Sequence, residues 1–476
     1  MRSQNASGGS RLSLWLRVRR FAVPPSMIET ATARRHAGDW AGACAAAGID
    51  VDLNLRSLAR THGPELAARI RADLRHLAPD LMRWHMPRIA PDGLLRPDLT
   101  VALARYATAD GGHPVHLVAR TPPAWADAGQ RISLALWDGS RAAPGDRRHP
   151  HPHPGRRFRL DLHRHLWDAR RTDELRIRSG AGQPRADARS AAVADPLGLV
   201  PQGRGCAVDR WAAEAGIVLR AGGRSTGTVT VRLATRLQLA LDVALDTDPA
   251  GPPAIRAAVR AAPGGGPYPV LPDAATWVPP DLELLRAGLI APGELHPLVA
   301  SALAPGQAPP NSYRGPDRSG APRLVECRGA THRIGLVNGV LSPLDHDPAE
   351  LRREELLAAL TGTPLPCLRV IDEAHRHPEC LPDVRARLDH GDTAGALAVV
   401  EGLLGPGALL RSGDLRDELE EAARRRITHG LFRADLIGPR GPVPAPGRAS
   451  DRRRVRTRVR ARTADGSPHP RHATFR

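Results

Sequence analysis

Hydrophobic spacing changes period along this chain, and the changes divide it into helical and extended stretches. In Pro64–Leu77 the residues Leu66, Ile70, Leu74 and Leu77 share one helical face, while Arg69, Arg71, Asp73 and Arg75 fall elsewhere. Pro64 suits a first helical turn and Pro79 closes the segment, so residues 28–97 read as a helical region. From residue 98 the pattern becomes period two. Thr100–Tyr106, Val115–Arg120, Arg131–Trp137 and Arg157–His163 alternate apolar and polar positions, which predicts an antiparallel β region over 98–178 with one solvated face.

Further on, Val208–Arg220 reads as a helix, and Thr228–Leu233 and Leu237–Val243 as strands, giving an α+β segment at 206–245. Residues 267–303 are helical in pattern. A β-hairpin region follows at 322–346, with strands at Arg323–Cys327, His332–Val337 and Val340–Leu344, and Asn338-Gly339 is a strong tight-turn signal. Asp347-Pro-Ala-Glu350 combines an N-cap, a proline at the first helical position and a Glu two residues later, so a helical region begins there and runs over 347–435. Pro, Gly and Arg concentrate at 179–205, 246–266 and 304–321, which read as linkers. The fold class expected is α+β, with helical N- and C-terminal regions flanking an antiparallel β-rich middle.

One internal echo stands out. Gly38-Asp-Trp-Ala-Gly-Ala-Cys-Ala45 and Gly391-Asp-Thr-Ala-Gly-Ala-Leu-Ala398 share six of eight positions, each at a turn that gives way to a helix. Helix-hairpin repeats such as tetratricopeptide units are built this way, so a helical corner is expected at both places.

Composition alters this picture mainly at the termini. All 68 cationic residues counted as Lys+Arg are arginine, and Gly and Pro number 46 each, a bias typical of a GC-rich coding sequence. The lack of lysine excludes a phosphate-loop ATPase, the strand lysine of a protein kinase and Schiff-base chemistry on lysine. Of the net charge of +18, residues 1–20 contribute +5 and residues 439–476 contribute +9, leaving +4 for 21–438. Residues 1–27 are therefore expected to be a disordered basic extension, with a start at Met27 conceivable and translation of 1–26 open. Residues 436–476 are expected to be a disordered Arg-rich tail in which 452–462 could neutralise nucleic-acid phosphates. The chain lacks the run of about 18 apolar residues that a membrane-spanning helix needs, so no membrane partner is expected. Five scattered cysteines fit reduced thiols and a cytoplasmic protein better than a secreted disulfide framework.

Few residues suggest chemistry. Val370-Ile-Asp-Glu-Ala-His375 looks like the DEAH box of a helicase but has no phosphate loop to serve; a helix with Leu368, Ile371 and His375 on one side fits better. Cys367, His375, His377 and Cys380 supply four ligands that zinc could use. Cys327, His332 and His346 bring a thiol and two imidazoles together in sequence beside Asp345 and Asp347, the ingredients of a thiol-dependent hydrolase. No cofactor other than zinc is expected. The reading that follows is a non-catalytic protein-interaction or scaffold protein with another protein as partner. The alternatives are a hydrolase centred on 323–347 and nucleic-acid binding by the C-terminal tail.

Overall fold

The computed structural model describes residues 11–108, 112–139, 149, 151–181, 198–201, 205–244, 253–262, 268–306, 323–362 and 364–438. The tail proposed for nucleic acid, 452–462, lies outside them. The fold is α+β, and the chain divides into two compact units, residues 1–311 with 435–476, and residues 312–434.

The larger unit begins with a correction. Residues 11–17 are helical (α1) and continue into a π-helical turn, Val18–Ala22, instead of forming the expected extension. Leu14, Trp15, Val18, Phe21 and Ala22 recur at helical spacing and are all buried, and all but Phe21 belong to the main core, Trp15 being completely enclosed. That apolar stripe lies among Arg11, Arg17, Arg19 and Arg20, whose charge masks it in composition. Helices α2 (Pro25–His36) and α3 (Trp40–Ala46) pack as a pair, and α4 (Leu55–His62), α5 (Pro64–His76) and α6 (Pro79–His85) follow. The predicted stripe of α5 is the buried one, with Leu66, Ile70 and Leu74 inside.

A four-stranded sheet, in order β1-β6-β5-β4, joins Ile49–Val51 (β1), Thr100–Tyr106 (β4), Val115–Arg120 (β5) and Ile132–Trp137 (β6). β4, β5 and β6 pair antiparallel, but β1 joins β6 in parallel, so the sheet is mixed. The expected solvated face is also absent from β4, of which only Arg105 is exposed. β2 (Arg88–Ile89) and β3 (Leu94–Leu95) form a small separate ribbon. Arg157–His163 is not a strand. Arg159 chelates Asp161 two residues on (2.7 and 2.6 Å), Trp167 Nε1–H donates to the Leu160 carbonyl (3.1 Å), and the segment coils into 3₁₀ turns at Leu160–Leu162 and Arg164–Leu166. Its period-two pattern reflects inward Phe158 and Leu160 in a turn. After α7 (Glu174–Arg178), helix α8 (Val208–Ala221) backs a second antiparallel sheet of β7 (Thr226–Arg232), β8 (Gln238–Ala244) and β9 (Ala254–Ala261). β9 falls in the stretch expected to be a linker; as an edge strand with mostly exposed side chains, Arg256 and Arg260 among them, it gives little alternation to read. Short helices α9 (Asp273–Thr276), α10 (Pro280–Arg286) and α11 (Pro297–Leu303) complete the described part of this unit.

The smaller unit opens with a three-stranded antiparallel sheet, β10 (Arg323–Cys327), β11 (Ala330–Val337) and β12 (Val340–Pro343). Asn338 (φ 51°) and Gly339 (φ 78°) make the predicted tight turn, and Arg328 (φ 53°) and Gly329 (φ 80°) make a second. Five helices follow among the described residues: α12 (Pro348–Thr361), α13 (Pro366–Arg376), α14 (Leu381–His390), α15 (Thr393–Leu404) and α16 (Asp414–Arg433). Asp347 caps α12 as expected, its Oδ1 accepting the Ala349 N–H at 3.2 Å. The Asn338-Gly339 turn abuts Gly405, where an added Cβ would overlap the Gly339 carbonyl oxygen; only glycine at 405 permits this approach.

The sequence echo is a structural one. Between α2 and α3, Gly38 (φ 78°) turns the chain, Asp39 Oδ1 accepts the Gly42 N–H (2.8 Å), and Arg34 Nη1 donates to Asp39 Oδ2 (2.8 Å). Between α14 and α15, Gly391 (φ 86°), Asp392, Gly395 and Arg387 repeat these bonds at 2.9 and 2.7 Å. In both, a Cβ on Gly42 or Gly395 would overlap the capping carboxylate, which explains the shared glycine. Each helix pair buries equivalent positions, Ile28, Ala31 and Ala43 in one and Leu381, Val384 and Ala396 in the other.

Candidate functional site

The residues singled out for chemistry sit in the smaller unit, several of them where the hairpin sheet meets α13. The core at that junction is small: its buried members are Cys327, Ile334, Cys367 and Ile371, with Val325, Leu341, Leu365 and Val370 packed around them. Two of the four are cysteines.

Each functional side chain is placed by a local rule. Cys327 ends β10 and pairs with Ala330 across the Arg328-Gly329 turn, so its side chain faces inward; it is 1% exposed. Arg328 at that turn donates to Glu350 (2.6 Å) and to Glu354 on α12, which ties the turn to the helix. His332 pairs with Val325, on the same sheet face as Cys327 but one step further along. The segment after β12 is held by Asp345: its Oδ2 accepts the Arg333 backbone N–H (2.7 Å) and its Oδ1 a guanidinium N–H of Arg333 (2.7 Å). Those bonds hold the Asp345 carboxyl down at about 2 and set the course of the next residue, His346. The His346 ring lies flat on His332, with centroids 4.2 Å apart and planes 12° from parallel. Cys367 occupies the first turn of α13 behind Pro366 and is fully buried.

The donor atoms of Cys327, His346 and Cys367 all lie within 4.8 Å of one another. Nδ1 of His332 and Nε2 of His346 are buried without a hydrogen-bond partner. Burial, with the adjoining Cys327 thiol, pushes the Cys367 thiol up to about 11, so at neutral pH it is an SH group and not a nucleophile.

The structure thus brings together two residues of the proposed catalytic set, Cys327 and His346, with one from the proposed zinc set, Cys367. Cys327 and His332 share a sheet face, but His332 meets His346 by stacking. The rest of the zinc set disperses. His375 is buried on α13, its imidazole pushed down by burial and by Arg411. His377 is exposed and paired with Asp414 (Nδ1 to Oδ2, 3.3 Å). Cys380 precedes α14 and packs against the helical core. The helical reading of Val370–His375 holds, with Asp372 accepting from Arg376 and Arg411, both at 2.7 Å. Sequence reasoning missed that Cys367 joins Cys327 and His346, because eighteen and twenty residues separate successive members and the junction forms only when the sheet docks on α13.

Comparison with protein families, with characterised proteins and with solved structures finds no match to this chain.

Proposed function

We propose that this is a non-catalytic protein-interaction or scaffold protein, acting in the cytoplasm, whose partner is another protein. The observation that carries the reading is α12. None of its residues is buried, yet Leu356, Leu357 and Leu360 are 65%, 50% and 86% exposed and are neighbours on the helix surface. Single exposed leucines are ordinary, but three adjacent ones on a helix that buries nothing have no role in folding the chain. A protein partner would cover them.

Among the described residues no helix is long and apolar enough to cross a membrane, and none of the five cysteines is in a disulfide, which suits the compartment proposed. The hydrolase alternative draws support from the closeness of Cys327 and His346, but a thiol 1% exposed beside a second fully buried thiol offers a substrate no approach.

The test replaces Leu356 and Leu360 with Glu in the full-length chain. Thermal stability should stay within about 0.5 kcal/mol of the parent, as for other exposed positions. A protein recovered in stoichiometric amount with the parent should, when purified, bind the parent and fail to bind the double variant. Equal binding to both, or no stoichiometric partner for the parent, refutes the reading.

A further inference from the structure

The cluster at the sheet–α13 junction carries an inference independent of the interaction reading. We propose that Cys327, His346 and Cys367 form a zinc-binding site that fastens the hairpin sheet to α13.

Geometry supports it first. Tetrahedral zinc takes thiolate sulfur at about 2.3 Å and imidazole nitrogen at about 2.0–2.1 Å, which puts ligand atoms roughly 3.5–4 Å apart. Donor atoms already within 4.8 Å of one another need only close around the ion. The three come from three separate places: the end of β10, the segment between β12 and α12, and the first turn of α13. A bound ion would therefore cross-link elements that otherwise meet through four buried side chains.

Donor chemistry narrows the ion. Two thiolates and an imidazole suit zinc(II), whereas magnesium and calcium require oxygen ligands. The Nε2 atom of His346 is buried without a hydrogen-bond partner, and with the ring proton on Nδ1 it offers a lone pair to a metal. Burying that atom unpaired has a cost that a metal bond would remove.

The stacked imidazole has a different task. A metal lies in the plane of the imidazole it binds, and the His332 ring runs parallel to His346 at 4.2 Å. An ion in the plane of His346 therefore lies far out of the plane of His332, and the two rings cannot share it. His332 is a positioning residue that fixes the orientation of its neighbour. Three protein ligands leave the fourth tetrahedral position to water or to an exogenous donor.

The test uses the full-length chain expressed with added zinc, and elemental analysis of the purified protein should find one zinc per chain. Exchange for cobalt(II) should give the near-ultraviolet thiolate-to-cobalt band and strong visible bands of a tetrahedral sulfur–nitrogen site. Cys327→Ser, Cys367→Ser and His346→Ala should each lose the ion and these bands, while Cys380→Ser and His377→Ala retain both. His332→Ala should keep the stoichiometry but weaken affinity about 10-fold, the size of effect seen when a ligand loses its orienting neighbour. Should the ligand variants fail to fold, cobalt(II) titration of the metal-free parent chain decides: the thiolate-to-cobalt band should saturate at one equivalent and vanish when zinc is added, and a titration without that band would overturn the proposal. A parent without zinc, zinc retained by the Cys327→Ser/Cys367→Ser double variant, or preferential uptake of copper(I) would overturn the proposal.

Discussion

Single glycines decide much of this fold, and they do so for opposite reasons. Gly395 sits against its capping carboxylate, so Gly395→Ala must displace Asp392 and forfeit the N-cap of α15, at a cost of about 1–2 kcal/mol to the smaller unit. Gly402, on the same helix, is exposed with nothing within 4 Å of an added Cβ, so Gly402→Ala should stabilise by about 0.5–1 kcal/mol. Chemical denaturation of the two variants in parallel should shift the smaller unit's transition in opposite directions; shifts of equal sign would show that helix propensity alone governs this position. The residue scale is also where sequence reading was sharpest. The Asp347 cap, the Asn338-Gly339 turn and the Gly-Asp echo were all legible because each depends on bonds within a few residues.

Elements were legible when one face was buried and the other was not. Helix α5 follows its pattern closely, as do α8, β7 and β8, whereas the 322–346 hairpin was legible from its Asn338-Gly339 turn although β11 is mostly exposed. Reading failed where that contrast vanished: at β9, whose side chains are mostly exposed, and at residues 11–22, where arginines surround the buried stripe. It failed also at Arg157–His163, where a turn imitates alternation. The candidate site was half legible for a related reason. Cys327 and His346 are near in sequence, but Cys367 reaches them through packing between a sheet and a helix, which no spacing rule encodes. If the ion bridges those elements, a chelator should lower the thermal midpoint of residues 312–434 and leave that of the larger unit in place. Calorimetry with and without chelator checks this, and coincident shifts of both transitions would contradict it.

Over the whole molecule, burial of neutral groups sets the response to pH. The imidazoles of His116, His149 and His375 are pushed below their ordinary 6.5, chiefly by burial. Below pH 6.5 the unfolded chain binds protons that the folded chain refuses, so stability should fall on acidification. Cys44 works at the other end: burial pushes its thiol from 9.0 up to about 12, so above pH 9 the unfolded chain releases a proton that the folded chain keeps. Stability of the larger unit, which holds His116, His149 and Cys44, should therefore plateau between these limits and decline on either side. Urea titrations across the pH range measure this, and a midpoint still rising above pH 10 would contradict it.

The twin corners at Gly38–Gly42 and Gly391–Gly395 carry a consequence for how the chain is written. In each, the arginine and the second glycine both bond the aspartate, although the two corners serve different cores. Such a device is portable: grafting either version into the place of the other should leave each host intact, and any sequence that sets Arg four residues before Gly-Asp, with Gly three beyond the Asp, can be read as bending there.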